Sequence, residues 1–187
     1  MRVATTAIGQ AFIHDDFSET LEIKLERLPL IFPLHMLAGG LALALVPLAW
    51  AARKHPRWHR PLGIVAAADV ILAGMTAYPV AWIAPVSPWS AAGFTAQASV
   101  WLGFLGLGIW HIAHGRKAQH RRAMLLMAAA ASGAVFFRIW LALWAILAHG
   151  RHFILFYACD AWLAWLLPLA ATALLLNRTG SLRDYPR

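Results

Sequence analysis

The stretch Pro29–Trp50, PLIFPLHMLAGGLALALVPLAW, decides the fold class: it holds no Asp, Glu, Lys or Arg, and His35 is its one ionisable side chain. A hydrocarbon core of ~30 Å takes about 20 apolar helical residues to cross, so this stretch reaches from one face of a bilayer to the other. Leu62–Pro85, Gly93–Trp110, Ala123–Ala148 and Phe153–Leu176 share its character. Lipid satisfies no backbone N–H or C=O, and none of the five stretches alternates polar with apolar residues as a barrel strand does. The expectation is an all-α, polytopic membrane bundle of five transmembrane helices over residues 29–176, preceded by a segment over 1–28 and followed by a tail over 177–187. Pro47, Pro79 and Pro168 fall near span ends, where kinks do least harm.

Whole-chain composition agrees. Of 187 residues, 61% are AVILMFWYC and 13% are charged, against roughly 45–50% and about 25% in soluble domains. Disorder is excluded, and the single Cys159 excludes a disulfide scaffold. The net charge of +8 comes from basic residues set between apolar blocks, which argues against nucleic acid as a partner. No Gly-rich phosphate loop, His-Glu-x-x-His helix or Gly-x-Ser-x-Gly elbow is present.

The basic residues set an orientation. Arg53, Lys54, Arg57 and Arg60 occupy the first loop, Arg116, Lys117, Arg121 and Arg122 the third, and Arg178, Arg183 and Arg187 the tail. The second loop is uncharged, the fourth has only Arg151, and the N-terminal segment is net acidic. Retention of Lys and Arg on the cytoplasmic side predicts an outer amino terminus and a cytoplasmic carboxyl terminus, with anionic lipids drawn to the basic loops. Residues 1–13 lack the apolar core of a signal peptide, so the start is expected to be retained. Phe17, Leu21, Leu25 and Leu28 share a helical face opposite Glu19, Glu22 and Glu26, which predicts a short surface helix capped by Asp16 with Glu19. Trp50, Trp58, Trp82, Trp89 and Trp110 suit the interfacial belts. Trp140, Trp144, Trp162 and Trp165 lie deeper, for bundle packing or for a cofactor.

Nine histidines in so apolar a chain are the main chemical signal. His35 lies about 9 Å below the outer edge of the first span at helical rise, and His149 and His152 flank the outer ends of the last two spans. His55, His59, His111, His114 and His120 form an inner set. Two heights of imidazole are what a two-haem b-type electron carrier requires, each iron taking nitrogens from different helices. His35, His59 and His111 are each followed four residues later by glycine, at Gly39, Gly63 and Gly115, which leaves room for a flat macrocycle. The candidate haem b set is His35 as an outer iron ligand, His59 and His120 as inner ligands, with His111, His152 and Arg138 also contacting the cofactor. The competing reading is interfacial imidazoles bonded to backbone or lipid. His111-x-x-His114 has no carboxylate or thiolate nearby to complete a zinc site.

Asp69, Arg138 and Asp160 are charges inside spans, each costing ~2.5–3.5 kcal/mol if left alone at the bilayer centre. Arg138 and Asp160 fall about 15 and 12 Å from the outer edge of adjacent spans, so an intramembrane ion pair is expected. Alternatively, Arg138 holds a haem propionate or another anionic group and Asp160 orients it. Asp69 has no evident partner.

His35 with Gly39-Gly40 and Pro47, then His59-Arg60-x-x-Gly63, then His120-Arg121-x-x-Met124 and Arg138, resemble a family of predicted bacterial integral-membrane proteins of unknown function. The resemblance spans roughly Pro29–Trp140, and it departs from the family at Val46 and Leu126, where glycine and arginine are usual. The resemblance implies a bacterial inner membrane and singles out His35, His59, His120 and Arg138 without implying a reaction; the pattern is also distantly similar to the bundles of dihaem b-type cytochromes. Trp58-His59-Arg60 and Gln119-His120-Arg121 hint at a repeat of two hairpins, though a shared His-Arg arises easily by chance. An accessory subunit or assembly factor of a larger membrane complex is the alternative function. A transporter through Asp69, Arg138 and Asp160 lacks the broken helices of a midplane site.

Overall fold

A computed structural model describes residues 10–178, with side chains from Glu19 onward; the Asp16 cap and the tail residues Arg183 and Arg187 lie outside the described residues. Six helices follow one another: α1 Gln10–Arg27, α2 Ile31–Ala51, α3 Pro56–Trp82, α4 Pro88–Ala113, α5 Lys117–Ala148 and α6 Phe153–Arg178, with a single 3-10 turn at Ala52–Lys54. Helices α2 to α6 are long and apolar enough to cross a membrane, and no strand occurs among the described residues. The five-span, all-helical expectation therefore holds.

Boundaries depart from the apolar stretches where polar residues can still be helical. Helices α3 and α5 begin at Pro56 and Lys117, well before Leu62 and Ala123, because their first turns need no lipid to be stable and Pro56 sits where a missing N–H costs nothing. Pro47, Pro61, Pro79 and Pro168 all lie within helices. The α3–α4 turn is set by a capping box, with Ser90 N–H donating to Ser87 Oγ and Ser87 N–H to Ser90 Oγ, both at 3.1 Å, ahead of Pro88. Gly115 closes α4 at φ 72°, its N–H donating to Ile112 O and that of Arg116 to His111 O. Only glycine takes that conformation without strain. Gly115 is thus a turn residue, and a Cβ there would meet nothing within 4 Å.

Each spanning helix packs on the next, and α4 also packs on α6. Helices α4, α5 and α6 form a closed three-helix seam, and the α2–α3 hairpin lies against it. Small residues set the spacing: a Cβ on Gly93 would stand 2.8 Å from Ala161 O, and one on Gly133 2.5 Å from Trp165 Cβ. Ala42, Val70, Leu105 and Met127 make the core where the hairpin meets α4 and α5.

On helix α1 Leu25 is exposed on the protein, as a lipid-facing side chain of a surface helix is, and the residue turned toward the bundle is Lys24. Its Nζ donates to Val80 O at 2.6 Å and to Ile83 O, two carbonyls at the end of α3 with no helical partner of their own.

Candidate functional site

Polar side chains gather at two levels, one at each end of the bundle. At the α1 end, His35 on α2 bridges to α3, its Nδ1 lying 3.1 Å from Ala73 O and 3.2 Å from Thr76 Oγ1. The Thr76 hydroxyl already donates to Leu72 O at 2.7 Å, so it is free to accept from the imidazole N–H. On α6 the Tyr157 ring is packed edge-on against Phe94 and Phe137 at 6.0 and 5.1 Å. By position along α2, α3, α5 and α6, His35, Thr76, Arg138, Tyr157 and Asp160 fall in one layer at this end of the bundle.

Within that layer the expected Arg138–Asp160 pair is not hydrogen-bonded. Arg138 Nη1 donates to Ala134 O of its own helix at 2.6 Å, and both Asp160 oxygens are buried without a partner. The cause is the faces they occupy: Arg138 is on an exposed face of α5, whereas Asp160 is 2% exposed. Matching heights do not supply matching faces. Asp69, farther along α3, likewise has one buried oxygen without a partner.

At the opposite end the two hairpins repeat one arrangement. His59, near the start of α3, places Nδ1 2.9 Å from Ala49 O near the end of α2, and His120, near the start of α5, places Nδ1 2.9 Å from Gly108 O near the end of α4. Arginines cover the tryptophans beside them, Arg53 over Trp50 at 4.7 Å and Arg116 over Trp110 at 4.8 Å. Arg121 reaches across to Trp50 at 5.9 Å and ties one hairpin to the other. His111 differs: its ring lies against Trp110 at 4.9 Å and its Nδ1 is buried without a partner.

A Cβ on Gly39, Gly63 or Gly115, each four residues after His35, His59 or His111, would meet nothing within 4 Å. His152 opens onto a separate cleft between the ends of α5 and α6. Sequence reasoning missed Thr76, Tyr157 and Lys24, since a threonine bonded to its own helix and a tyrosine in an aromatic run carry no periodic signal. No group of three or more metal-ligating side chains occurs among the described residues.

Residues 32–176 match the model of a family described as predicted membrane protein (DUF2306), and the chain belongs to that family. No curated protein and no solved structure matches it.

Proposed function

We propose that this member of the DUF2306 family is a membrane haem b protein that carries electrons across or within the bilayer, with His35 as ligand at the α1 end and His59 and His120 at the other. The observation that supports the reading is common to all three: Nδ1 sits 2.9–3.1 Å from a main-chain carbonyl. A carbonyl accepts only from N–H, so the proton is on Nδ1 and the lone pair on Nε2, the tautomer that binds iron. The residues fit the flat macrocycle best at His35 and His59, where Gly39 and Gly63 face open space. Beside His120 the next turn carries Met124 instead. Arg138, with no carboxylate bonded to it, is available to a propionate, and His111 is a further imidazole at the basic end. Haem supplies one-electron chemistry when bound; this chain's residues hold it, fix its orientation and keep water away.

An absorption spectrum of protein purified from haem-replete cells tests the reading, with a Soret band expected. Asn places an amide donor near the position of Nδ1 but has nothing at Nε2. Accordingly His35→Asn and His59→Asn should lose absorbance while keeping helicity. No band in native protein, nor after reconstitution with hemin, would refute haem binding. The reading includes a bacterial inner membrane with the amino terminus outside, supported by Arg53, Lys54, Arg116 and Arg121 clustering at one end and testable by cysteine accessibility from each side.

A second reading, accessory subunit of a larger membrane complex, draws on α2. Only 11% of its apolar stretch is buried inside the protein, against 28% for α3 and α5, and Leu37, Leu41 and Leu48 are exposed along it. Stoichiometric co-purification with a larger complex would favour it over a solitary coloured protein.

A further inference from the structure

The turn between α5 and α6 opens into a cleft of about 720 Å³, within the ~300–1,000 Å³ range of small-molecule sites. His149, Arg151 and His152 edge it, and no acidic residue lines it. Arg151 is exposed and His152 is exposed beside it. The wall beneath is apolar. Leu147 and Leu155 form its sides, and Trp144 is stacked on Phe156 at 4.8 Å with 12° between the rings. Cys159, one turn beyond Phe156, completes the lining toward the interior of the span.

A cationic rim with no counter-charge, set over an apolar wall that runs along two membrane-spanning helices, is complementary to an anionic amphiphile. Arg binds phosphate oxygens bidentately, and imidazole N–H groups add donors beside it. A soluble anion would leave the apolar wall bare, and a neutral lipid would leave the rim uncompensated. We propose that this cleft binds an anionic phospholipid of the bilayer, its phosphate held by Arg151 with His149 and His152 and one acyl chain lying along Leu155 toward Cys159. The site is separate from the haem ligands and stands or falls independently of them.

Cys159 is the chain's one cysteine and reports occupancy directly. The full-length protein in mild detergent is alkylated with a maleimide after addition of phosphatidylglycerol, of phosphatidylcholine with the same chains, or of inorganic phosphate. Phosphatidylglycerol is expected to slow modification severalfold more than phosphatidylcholine does, and inorganic phosphate to leave the rate unchanged. Arg151→Gln should abolish the difference between the two lipids, and Arg151→Lys should retain part of it. Equal slowing by both lipids would mean that the head is not recognised, and slowing by phosphate alone would mean that no chain is. Either result, or no slowing at all, overturns the proposal. Any Soret band should be unchanged in Arg151→Gln, so failure here is distinguishable from failure of the haem reading.

Discussion

The hairpins α2–α3 and α4–α5 are built alike at one end and differently along their length. Each is stapled by a histidine near the start of its second helix to a carbonyl near the end of its first, His59 to Ala49 and His120 to Gly108. Each has a tryptophan at that end covered by an arginine. Beyond the staple they diverge. The α4–α5 hairpin is pressed against α6 at Gly93 and Gly133, and the α2–α3 hairpin is closed against Leu102 of α4 at Gly74, while Gly39, Gly40 and Gly63 of the first hairpin and Gly103 and Gly106 of α4 face open space. The first hairpin is thus closed where Gly74 meets α4 and open at the glycines one turn after His35 and His59. The difference separates glycines that close a helix contact from glycines that leave space for something else.

The widest contrast should come from those glycines. In Gly133→Ala the new Cβ would lie 2.9 Å from Trp165 Cα and 2.7 Å from Gln97 Nε2, and Gln97 is itself held by a 2.9 Å bond to Ala130 O. Backbone cannot step aside as a side-chain tip does, so destabilisation of ~1–3 kcal/mol is expected, toward the upper end. Gly39→Ala should be close to neutral. Thermal unfolding of the two variants in the same detergent compares them; a large loss for Gly39→Ala would mean that the first hairpin is as tightly closed as the second.

A smaller effect is expected at the staples. Removing one hydrogen bond of this kind costs about 0.5–1.5 kcal/mol, so His59→Ala and His120→Ala should each lower stability by that order and by similar amounts. His59→Asn and His120→Asn should recover most of it, since the amide can still donate. Unequal losses would break the equivalence of the hairpins, and failure of Asn to rescue would mean that Nδ1 is not the group that matters.

Five spans were legible because hydrophobic length is a one-dimensional property, and the histidine levels were legible because depth follows from residue number along a helix. Facing is not. Arg138 and Asp160 were matched in height, yet which side of a helix meets a neighbour depends on where small residues allow close approach, as Gly93 and Gly133 do for α6. In spans that are apolar on every side no polar face marks the outside, so rotation about the axis leaves no trace in the sequence. The hairpin repeat was under-read for a related reason: the shared His-Arg is short, but the carbonyls that answer it at Ala49 and Gly108 are backbone groups, which any residue supplies.

That distinction between height and facing can be measured at Arg138 and Asp160. Removing one partner of a directly bonded buried pair costs ~3–5 kcal/mol because the other charge is stranded. Here neither depends on the other for a hydrogen bond, and a double-mutant cycle of Arg138→Gln and Asp160→Asn should give a coupling below about 0.5 kcal/mol. Coupling several times larger would restore the ion pair and tie the second hairpin to α6 by charge as well as by packing.

The smallest effect concerns a clasp on the first hairpin. Lys24 bonds the terminal carbonyls of α3, and its partial burial lowers its pKa from the ordinary 10.5. The sign follows from linkage. Between the lowered value and 10.5, an undocked lysine is charged while a docked one is neutral, so raising pH through that window favours docking; at lower pH both are charged and docking carries the full desolvation cost. Amide exchange in α1, corrected for the intrinsic pH dependence of exchange, should therefore slow modestly as pH rises from neutral toward 10.5. In Lys24→Gln this pH dependence should vanish. If the variant retained it, some other group would be titrating, and α1 would be held to the first hairpin by apolar contact rather than by an ammonium on the end of α3.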